Sequence, residues 1–414
     1  MTWSSARMTL TALPTCRATC CCLITSGIDV KERRDLYLVA LSLLIWGMGE
    51  GLFYIFQPLY IQKLGADPIL IGTVLGINAV GMTLSQIPAG YLADRVGRRP
   101  VMWFTWMMGV ISALVMASAR NLSGFVVGML MYGLTSAVLA PMNSYISHAR
   151  GDWPVGRAVT FASAAFSIGA ILGPLVGGAL GERFGLREVY WLAAVLFLVS
   201  TVVILFIREQ PVEAHSETES QPGLLRNPRF LMSLGLILMM MFSMYLPIPL
   251  AANFLQNERG LSLASIGQLG SLQNLGNAAF ALALGHLPAL TAFLAGEAAL
   301  LAVSLLLWRG SGMGFFGLAF FLMGGYRLSR TLSLAFVQPL VAKNQVGLAF
   351  GFVETINNLA LIMTPVFAGL LYDRSPAMVF KVSAGVLALC LGLTVWLRGA
   401  GRQAARAVIH RLQR

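Results

Sequence analysis

The chain has 414 residues, of which 57% are hydrophobic and only 11% are charged, and its mean hydropathy is +0.75. A soluble protein of this length needs more charge to cover its surface, so the composition excludes a soluble enzyme or binding module. The net charge of +12 does not indicate a nucleic-acid partner, because the basic residues stand at the ends of apolar runs rather than in one patch.

Residues 1–33 precede the first long apolar run and are predicted to be a disordered tail outside the fold. The tail holds four of the five cysteines, but no histidine follows them at the spacing of a zinc site. Arg17 interrupts its apolar stretch, which does not fit a secretory signal peptide. We therefore expect neither a metal nor a cofactor.

Apolar runs of about 20 residues recur along the rest of the chain. A run of this length is long enough to cross a bilayer as a helix. They predict an all-α membrane protein with twelve transmembrane helices in two six-helix halves. The first six predicted spans are 36–60, 69–90, 100–119, 122–146, 156–180 and 189–207. The second six are 230–255, 264–285, 289–308, 313–340, 345–371 and 377–397.

The longest polar gap, residues 208–229, contains four glutamates and is predicted to link the halves 34–207 and 230–398. A basic tail, 399–414, follows them. If the N-terminus lies in the cytoplasm, 19 of the 29 lysines and arginines fall in cytoplasmic segments and seven in outer loops. This bias predicts a plasma-membrane protein with both termini in the cytoplasm.

The two halves repeat each other. Residues 154–174 align without gaps to residues 345–365, and the offset of 191 continues from Gly178 to Gly369. Span 2 repeats in span 8 at an offset of 195, which matches Gly72 to Gly267. Internal repeats of this kind are typical of transporters, in which two similar halves move about a site between them.

Between spans 2 and 3, the stretch GYLADRVGRRP crowds an acid and three arginines into a tight turn. An anion near a helix end can cap a neighbouring helix, and the arginines can pair with acids or lipid phosphates. Alternatively, the charges only anchor the loop on the cytoplasmic side. The residues that form the motif are Gly90, Asp94, Arg95, Gly97, Arg98 and Arg99.

This stretch resembles the loop signature of the major facilitator superfamily, and the twelve spans with a central linker agree with it. The resemblance covers about residues 35–400. It implies that Asp94 contacts the start of helix 11, near Val346–Phe350, and helps to hold a cytoplasmic gate shut. The matching turn in the second half, 285–290, lacks these charges. The resemblance also implies that helices 1, 4, 7 and 10 line a central cavity.

Span 5 carries a second motif, which resembles one that is frequent in the drug/proton antiporters of that family. Its small residues allow close helix contact in any transporter, so it can equally be a packing feature. Such antiporters usually carry an arginine within helix 4, and span 4 has none. The motif residues are Gly169, Gly173, Pro174, Gly177 and Gly178.

A few charged residues fall inside the predicted spans, where they usually face a cavity or a partner. Glu50 in span 1 is the first candidate for a proton or substrate site, or it is a protonated carboxyl bonded between helices. Glu297 also lies within a span, but on helix 9, which the resemblance places at the periphery.

Arg327 and Arg330 share one face of span 10. Helical rise places Arg327 about 9 Å and Glu354 about 13 Å from the cytoplasmic surface, so an Arg327–Glu354 ion pair is one interpretation. The other is two arginines offered to an anionic substrate, with Glu354 as a switch. Further polar candidates, for substrate contact or helix packing, are Gln57, Gln273, Asn274, Asn277 and Asn357.

These features predict a secondary transporter that moves a small organic molecule by alternating access. We expect it to work as a monomer in the bilayer and not to be an enzyme. Proton-coupled efflux is the first hypothesis. Uptake of a sugar or organic anion with a coupled ion is the alternative, and a membrane sensor or membrane enzyme is a remote one, since no catalytic motif is found.

Overall fold

The computed structural model describes residues 33–210, 227–284, 287–338, 341 and 346–394. Over these residues the helices form twelve rods, labelled α1 to α12. The first six are α1 (Arg34–Lys63), α2 (Pro68–Val96), α3 (Arg98–Ser118), α4 (Leu122–His148), α5 (Val155–Phe184) and α6 (Leu186–Leu205). The second six are α7 (Pro228–Tyr245 and Ala251–Arg259), α8 (Leu263–Leu284), α9 (Ala289–Arg309), α10 (Met313–Met323 and Gly325–Val337), α11 (Val346–Arg374) and α12 (Met378–Thr394).

Eight of these helices are long and apolar enough to cross a membrane: α1 to α6, α9 and α11. The apolar parts of α7 and α12 are shorter. The two remaining rods are more polar or interrupted for identifiable reasons. Amide side chains such as Gln273 and Asn274 lower the hydropathy of α8, while α10 is broken at Gly324 and carries two arginines. The architecture is the predicted all-α fold of twelve helices.

The rods α1, α4, α7 and α10 are each interrupted near the middle. Short 3₁₀ turns, Tyr54–Phe56 and Leu134–Val138, interrupt α1 and α4, and residues 246–250 separate the two parts of α7. A proline accompanies each of these breaks: Pro58, Pro141, and the pair Pro247 and Pro249. Proline lacks the N–H that the preceding turn needs, which explains these three interruptions. In α10 the interruption lies at a glycine, Gly324, instead of near a proline.

Each half is held together by a buried cluster of hydroxyl groups. In the first half, the Ser200 hydroxyl of α6 donates to the Ser42 carbonyl of α1 at 2.8 Å, and Trp106 of α3 donates to both serine hydroxyls. In the second half, the Ser383 hydroxyl of α12 donates to the Ser243 carbonyl of α7, also at 2.8 Å. The equivalent rods of both halves are thus joined by the same bond, as the internal repeat predicts.

The halves meet where backbone touches backbone. A side chain on Gly72 of α2 would collide with the Pro365 carbonyl of α11, and one on Gly267 of α8 would collide with the Pro174 carbonyl of α5. These four residues are equivalent by the two repeat offsets, 195 and 191. Gly369 against Pro68 and Gly178 against Leu263 form a second equivalent pair of contacts. We call these two contact regions the seams.

The ends of the bundle differ. Arg33 stacks on Trp153, and the Tyr145 hydroxyl donates to the Arg208 carbonyl at 2.7 Å, so the start of α1 and the ends of α4 and α6 lie together. We call this the linker end and the opposite one the far end. Arg33, which the sequence assigned to the tail, is buried there and belongs to the fold.

The two halves are in contact at the far end. Both seams lie there, and Asn253 of α7 donates to the Gln62 side chain of α1 at 2.6 Å. Toward the linker end, a side chain added at Gly81, Gly90 or Gly351 would meet open space among the described residues. The structure is therefore closed at the far end.

Replacing Gly72 with valine should lower the free energy of unfolding by about 1–3 kcal/mol, because the added side chain forces α2 away from the Pro365 carbonyl. Gly267→Val should have a similar effect at the equivalent seam. The measurement is unfolding of the purified protein in mixed detergent micelles. Gly81→Val, on the same helix as Gly72, is the matched control and should be much less destabilising; an equal loss would contradict the role of the seam.

Candidate functional site

The breaks in the four interrupted rods lie next to the polar residues of the interior. Glu50 is in the last turn of α1 before its break, and its carbonyl accepts the N–H of Tyr54. Tyr132 lies just before the break in α4, Tyr245 just before that in α7, and Arg327 just after that in α10. Interrupted helices free backbone groups and space at mid-membrane, which is where transporters place their sites.

Glu50 is bonded to α4. The Tyr132 hydroxyl donates to a Glu50 carboxylate oxygen at 2.9 Å. The ring of Trp46, one turn earlier in α1, stacks on Tyr132 and on Phe197 with centroid distances of 6.3 and 4.3 Å. Because these aromatic rings fix both partners, the carboxyl of Glu50 is held at the inner surface of the first half.

Arg327 faces the same region from the second half. It lies within electrostatic range of Glu50, Tyr54, Tyr245 and Tyr326. The Tyr245 and Tyr326 rings are 5.1 Å apart, and Tyr54 is half exposed although it lies in the middle of α1. The region between the halves is therefore lined by Glu50, by the two arginines of α10 and by several tyrosines; we call it the central site.

Arg330, one turn beyond Arg327, forms an ion pair. Its guanidinium donates to Glu354 of α11 at 2.9 Å and to the Asn358 side chain at 2.9 Å. The sequence interpretation that paired Glu354 with Arg327 is wrong, and the reason is the register of the two antiparallel helices. Asn357 faces Ser333 at 3.2 Å, so Arg327 lies beyond the reach of Glu354.

Two of the five amide candidates, Asn274 and Asn357, tie helices together. Pro174 has no N–H to offer the Ala170 carbonyl, and Asn274 of α8 donates to that carbonyl at 2.8 Å. Asn277 points its amide at Asn274, and Asn357 joins α11 to α10. Gln57 is buried in the second part of α1. Gln273 lies partly buried on α8.

The span 5 motif is a close-packing surface with two faces. A side chain on Gly169, Gly173 or Gly177 would meet the backbone of α1, whereas Gly178 faces the start of α8. Pro174 contributes the carbonyl that packs on Gly267. The motif thus joins the cavity-lining rod α1 to one seam, which agrees with the packing interpretation.

The loop between α2 and α3 turns at Gly97, whose φ of +91° is strained for other residues. Arg98 contacts His148 at 2.9 Å and Gln210 at 3.5 Å, and Arg99 lies over the Trp103 ring at 4.0 Å. The Arg95 guanidinium lies over Tyr91. Arg98 therefore fastens the beginning of the linker. The side chains of Asp94 and Val346 lie outside the described part of the structure.

Glu297 is separate from the central site. It is fully buried on α9, beside Cys390 of α12, and neither carboxylate oxygen has a hydrogen-bond partner in the described part of the chain. Its position on a rod that is not interrupted agrees with the lower rank that the sequence gave it.

The sequence did not identify Tyr326, which lies beside Tyr245 in the site, and it did not indicate that Tyr132 is the partner of Glu50. Tyr132 follows a run of small and apolar residues in span 4 and gives no periodic signal of its own. A usable signal was the helix breakers: Pro58, Pro141, Pro247 and Gly324 all fall inside predicted spans. Taken together, these four residues indicate the four interruptions and the polar residues beside them.

The fold and the central site define a multi-pass integral membrane protein of two repeated halves. The sequence model of the Major Facilitator Superfamily matches residues 39–288, and the chain belongs to this family. It is 30% identical over 226 residues to the multidrug resistance protein MdtG of Enterobacter lignolyticus (strain SCF1), an alignment that covers 51% of this chain and 53% of the relative.

A second relative is a putative sugar efflux transporter of Deinococcus radiodurans, 32% identical over 192 residues, which are 45% of this chain and 49% of that one. The chain thus spans about half the length of the curated relatives it matches. A crystal structure of a mutant nucleoside transporter NupG has a TM-score of 0.77 at 15% identity and covers 88% of this chain and 99% of its own. The human organic anion transporter MFSD10 has a TM-score of 0.62 at 18% identity, with coverage of 88% and 99%.

The ion pair between Arg330 and Glu354 should give a coupling energy of about 1 kcal/mol or more in a double-mutant cycle. We expect Arg330→Gln to destabilise more than the double variant with Glu354→Gln, since the single change leaves a carboxylate without its partner. Unfolding of the purified variants measures this. The control cycle uses Arg327→Gln with Glu354→Gln and should be additive, because these side chains do not touch; coupling only in the control cycle would refute the observed register.

Proposed function

We propose that this protein is a secondary active transporter that exports a small organic molecule by alternating access. The observation that carries the proposal is the central site, in which four interrupted rods bring charged and aromatic groups together between two repeated halves. Interrupted helices at mid-membrane are the form in which transporters build substrate sites. Family membership and the efflux names of the two curated relatives support the same activity.

The seams provide the moving part. At Gly72 and Gly267 the halves touch through bare backbone, and a few side-chain bonds such as Asn253 to Gln62 also cross between them, so the halves can part there as rigid bodies once these few bonds break. Rocking of the halves would close the linker end and open the far end, so the central site would face each side in turn. The described state, closed at the far end, is the one that loads from the linker side.

We place the linker end in the cytoplasm and the protein in the plasma membrane. The support is the excess of lysine and arginine at this end, including Arg98 and Arg99 of the loop after α2. With that orientation the described state opens inward, and export begins with capture of the molecule from the cytoplasm or the inner leaflet. One chain contains both halves, so we propose that it works as a monomer.

Asp94 is proposed to act in the opposite state. In the described state the linker ends of α2 and α11 have open space around Gly90 and Gly351. When the halves close at this end, an acid at the end of α2 can meet the N-terminus of α11, whose dipole favours an anion. The latch would then hold the outward-open state long enough for release.

Proton coupling is proposed to use Glu50. Among the described residues it forms no ion pair, and its neighbours are Tyr132 from α4, Tyr54 from its own rod and Arg327 from α10. α4 offers Glu50 a tyrosine hydroxyl, and span 4 has no arginine of the kind that drug/proton antiporters of the family usually carry in helix 4. A proton that binds Glu50 removes a negative charge opposite Arg327, so the charge of the site changes with the protonation state.

Flux of candidate substrate molecules into proteoliposomes with an imposed pH gradient tests the activity itself. Glu50→Gln should abolish the substrate flux that the gradient drives, while substrate exchange without a gradient continues. The reason is that glutamine keeps the size and hydrogen bonding of the side chain but cannot release a proton. Glu297→Gln, a matched change on α9 away from the central site, should retain the gradient response. A normal pH response of Glu50→Gln would refute the coupling role, and absence of any flux in the wild-type protein would refute transport.

Asp94→Asn should lower the transport rate about tenfold or more while leaving membrane insertion intact, because the amide loses the charge that meets the helix dipole. Flux into everted vesicles at matched protein levels measures this. Arg95→Gln, one residue further along, is the control for a change of charge in the same loop and should have a smaller effect. If Asp94→Asn transported at the wild-type rate, the latch would be ruled out.

A further inference from the structure

Arg327 carries a charge that is not neutralised by a direct contact. Within the residues that the structure describes, its guanidinium has neither a hydrogen bond nor an ion pair; its carbonyl accepts from the Thr331 hydroxyl at 3.1 Å. Its side chain is exposed. Arg330, one turn away, donates to Glu354 and Asn358. A charged side chain without a partner in the middle of a membrane protein is costly and is therefore a candidate binding group.

The exposed side chain lies just after the break in α10 and next to Tyr326, whose ring is 5.1 Å from that of Tyr245 on α7. Glu50 and Tyr54 of α1 also lie within electrostatic range of its charge. A guanidinium surrounded in this way can offer its planar set of N–H donors to a molecule inside the site.

The balance of charge in the site determines what this molecule must bring. Arg330 and Glu354 form one neutral pair, and Glu50 already accepts a hydrogen bond from Tyr132. The unmet requirement is an acceptor for Arg327. Guanidinium binds carboxylate and phosphoryl oxygens through two parallel bonds, a geometry that a cation or a neutral alcohol cannot supply.

We propose that Arg327 binds the anionic head of the transported molecule, so that the substrate class is a small organic anion whose aromatic or apolar body packs on Tyr54, Tyr245 and Tyr326. The inference rests on the proposed transport function and does not depend on its direction. Before the anion binds, Glu50 is the distant counter-charge of Arg327. Its negative charge therefore competes with the anion for the electrostatic attraction of Arg327.

The test measures equilibrium binding to the purified full chain in nanodiscs at constant pH. The probes are phenylacetate, phenethyl alcohol and phenethylammonium, which share a phenyl body and differ in the charge of the head group. The wild-type protein should prefer phenylacetate about tenfold or more over both others, which corresponds to one bidentate charged contact. Arg327→Gln should abolish this preference, and Arg327→Lys should retain part of it.

Two further variants keep the test independent of folding defects. Glu50→Gln should tighten phenylacetate binding, because it removes the negative charge that competes with the anion for Arg327; unchanged or weaker binding would count against the proposal. Arg309→Gln, which removes a charge at the far end of α9 beside Trp308, should leave the preference intact. Preference for phenethylammonium, retention of the carboxylate preference in Arg327→Gln, or no binding of phenylacetate by the wild-type protein would each overturn the anion site.

Flux of radiolabelled phenylacetate in proteoliposomes separates this inference from the function on which it rests. Binding that requires Arg327 without any flux would refute transport but leave the anion site in place. Flux that does not require Arg327 would support transport and refute the anion site. Binding and flux that are both lost in Arg327→Gln, and both kept in Arg309→Gln, are the expected outcome.

Discussion

Bare backbone contact between the two halves is the constraint on which the rest of the structure depends. At each seam a glycine of one half lies against a proline carbonyl of the other: Gly72 on Pro365 and Gly267 on Pro174. The approach is so close that no side chain fits, which fixes glycine at both positions. It also brings the rods α1, α4, α7 and α10 to face one another, because the seams set the separation of the halves at the far end.

The proline that forms a seam has a second consequence. Since Pro174 cannot donate a hydrogen bond, the Ala170 carbonyl is left without its helical partner, and Asn274 supplies the missing donor from α8. A residue type that suggested substrate recognition therefore holds the halves together. Prolines within the interrupted rods act differently, because they free backbone and space beside Glu50, Tyr132 and Tyr245 and so create the central site.

Local features of the sequence predicted much of the fold and part of the site. Apolar run length gave the twelve helices, and the ungapped repeat predicted the equivalence that the seams and the two serine clusters confirm. Glu50 and the two arginines were identified because charges are rare within apolar spans. The breaks in α1, α4 and α7 were not predicted, although Pro58, Pro141 and Pro247 mark them, because hydropathy averaged over a span does not register a single interrupted turn.

The sequence by itself determined a membrane protein of twelve helices in two related halves, with its charges in a few places, because these properties depend on composition and on spacing along the chain. Only the tertiary structure decided the partners: Tyr132 for Glu50, Glu354 for Arg330, and no direct contact for Arg327 among the described residues. The physical reason is that a partner depends on the register between helices, and register is set by packing contacts far apart in the chain.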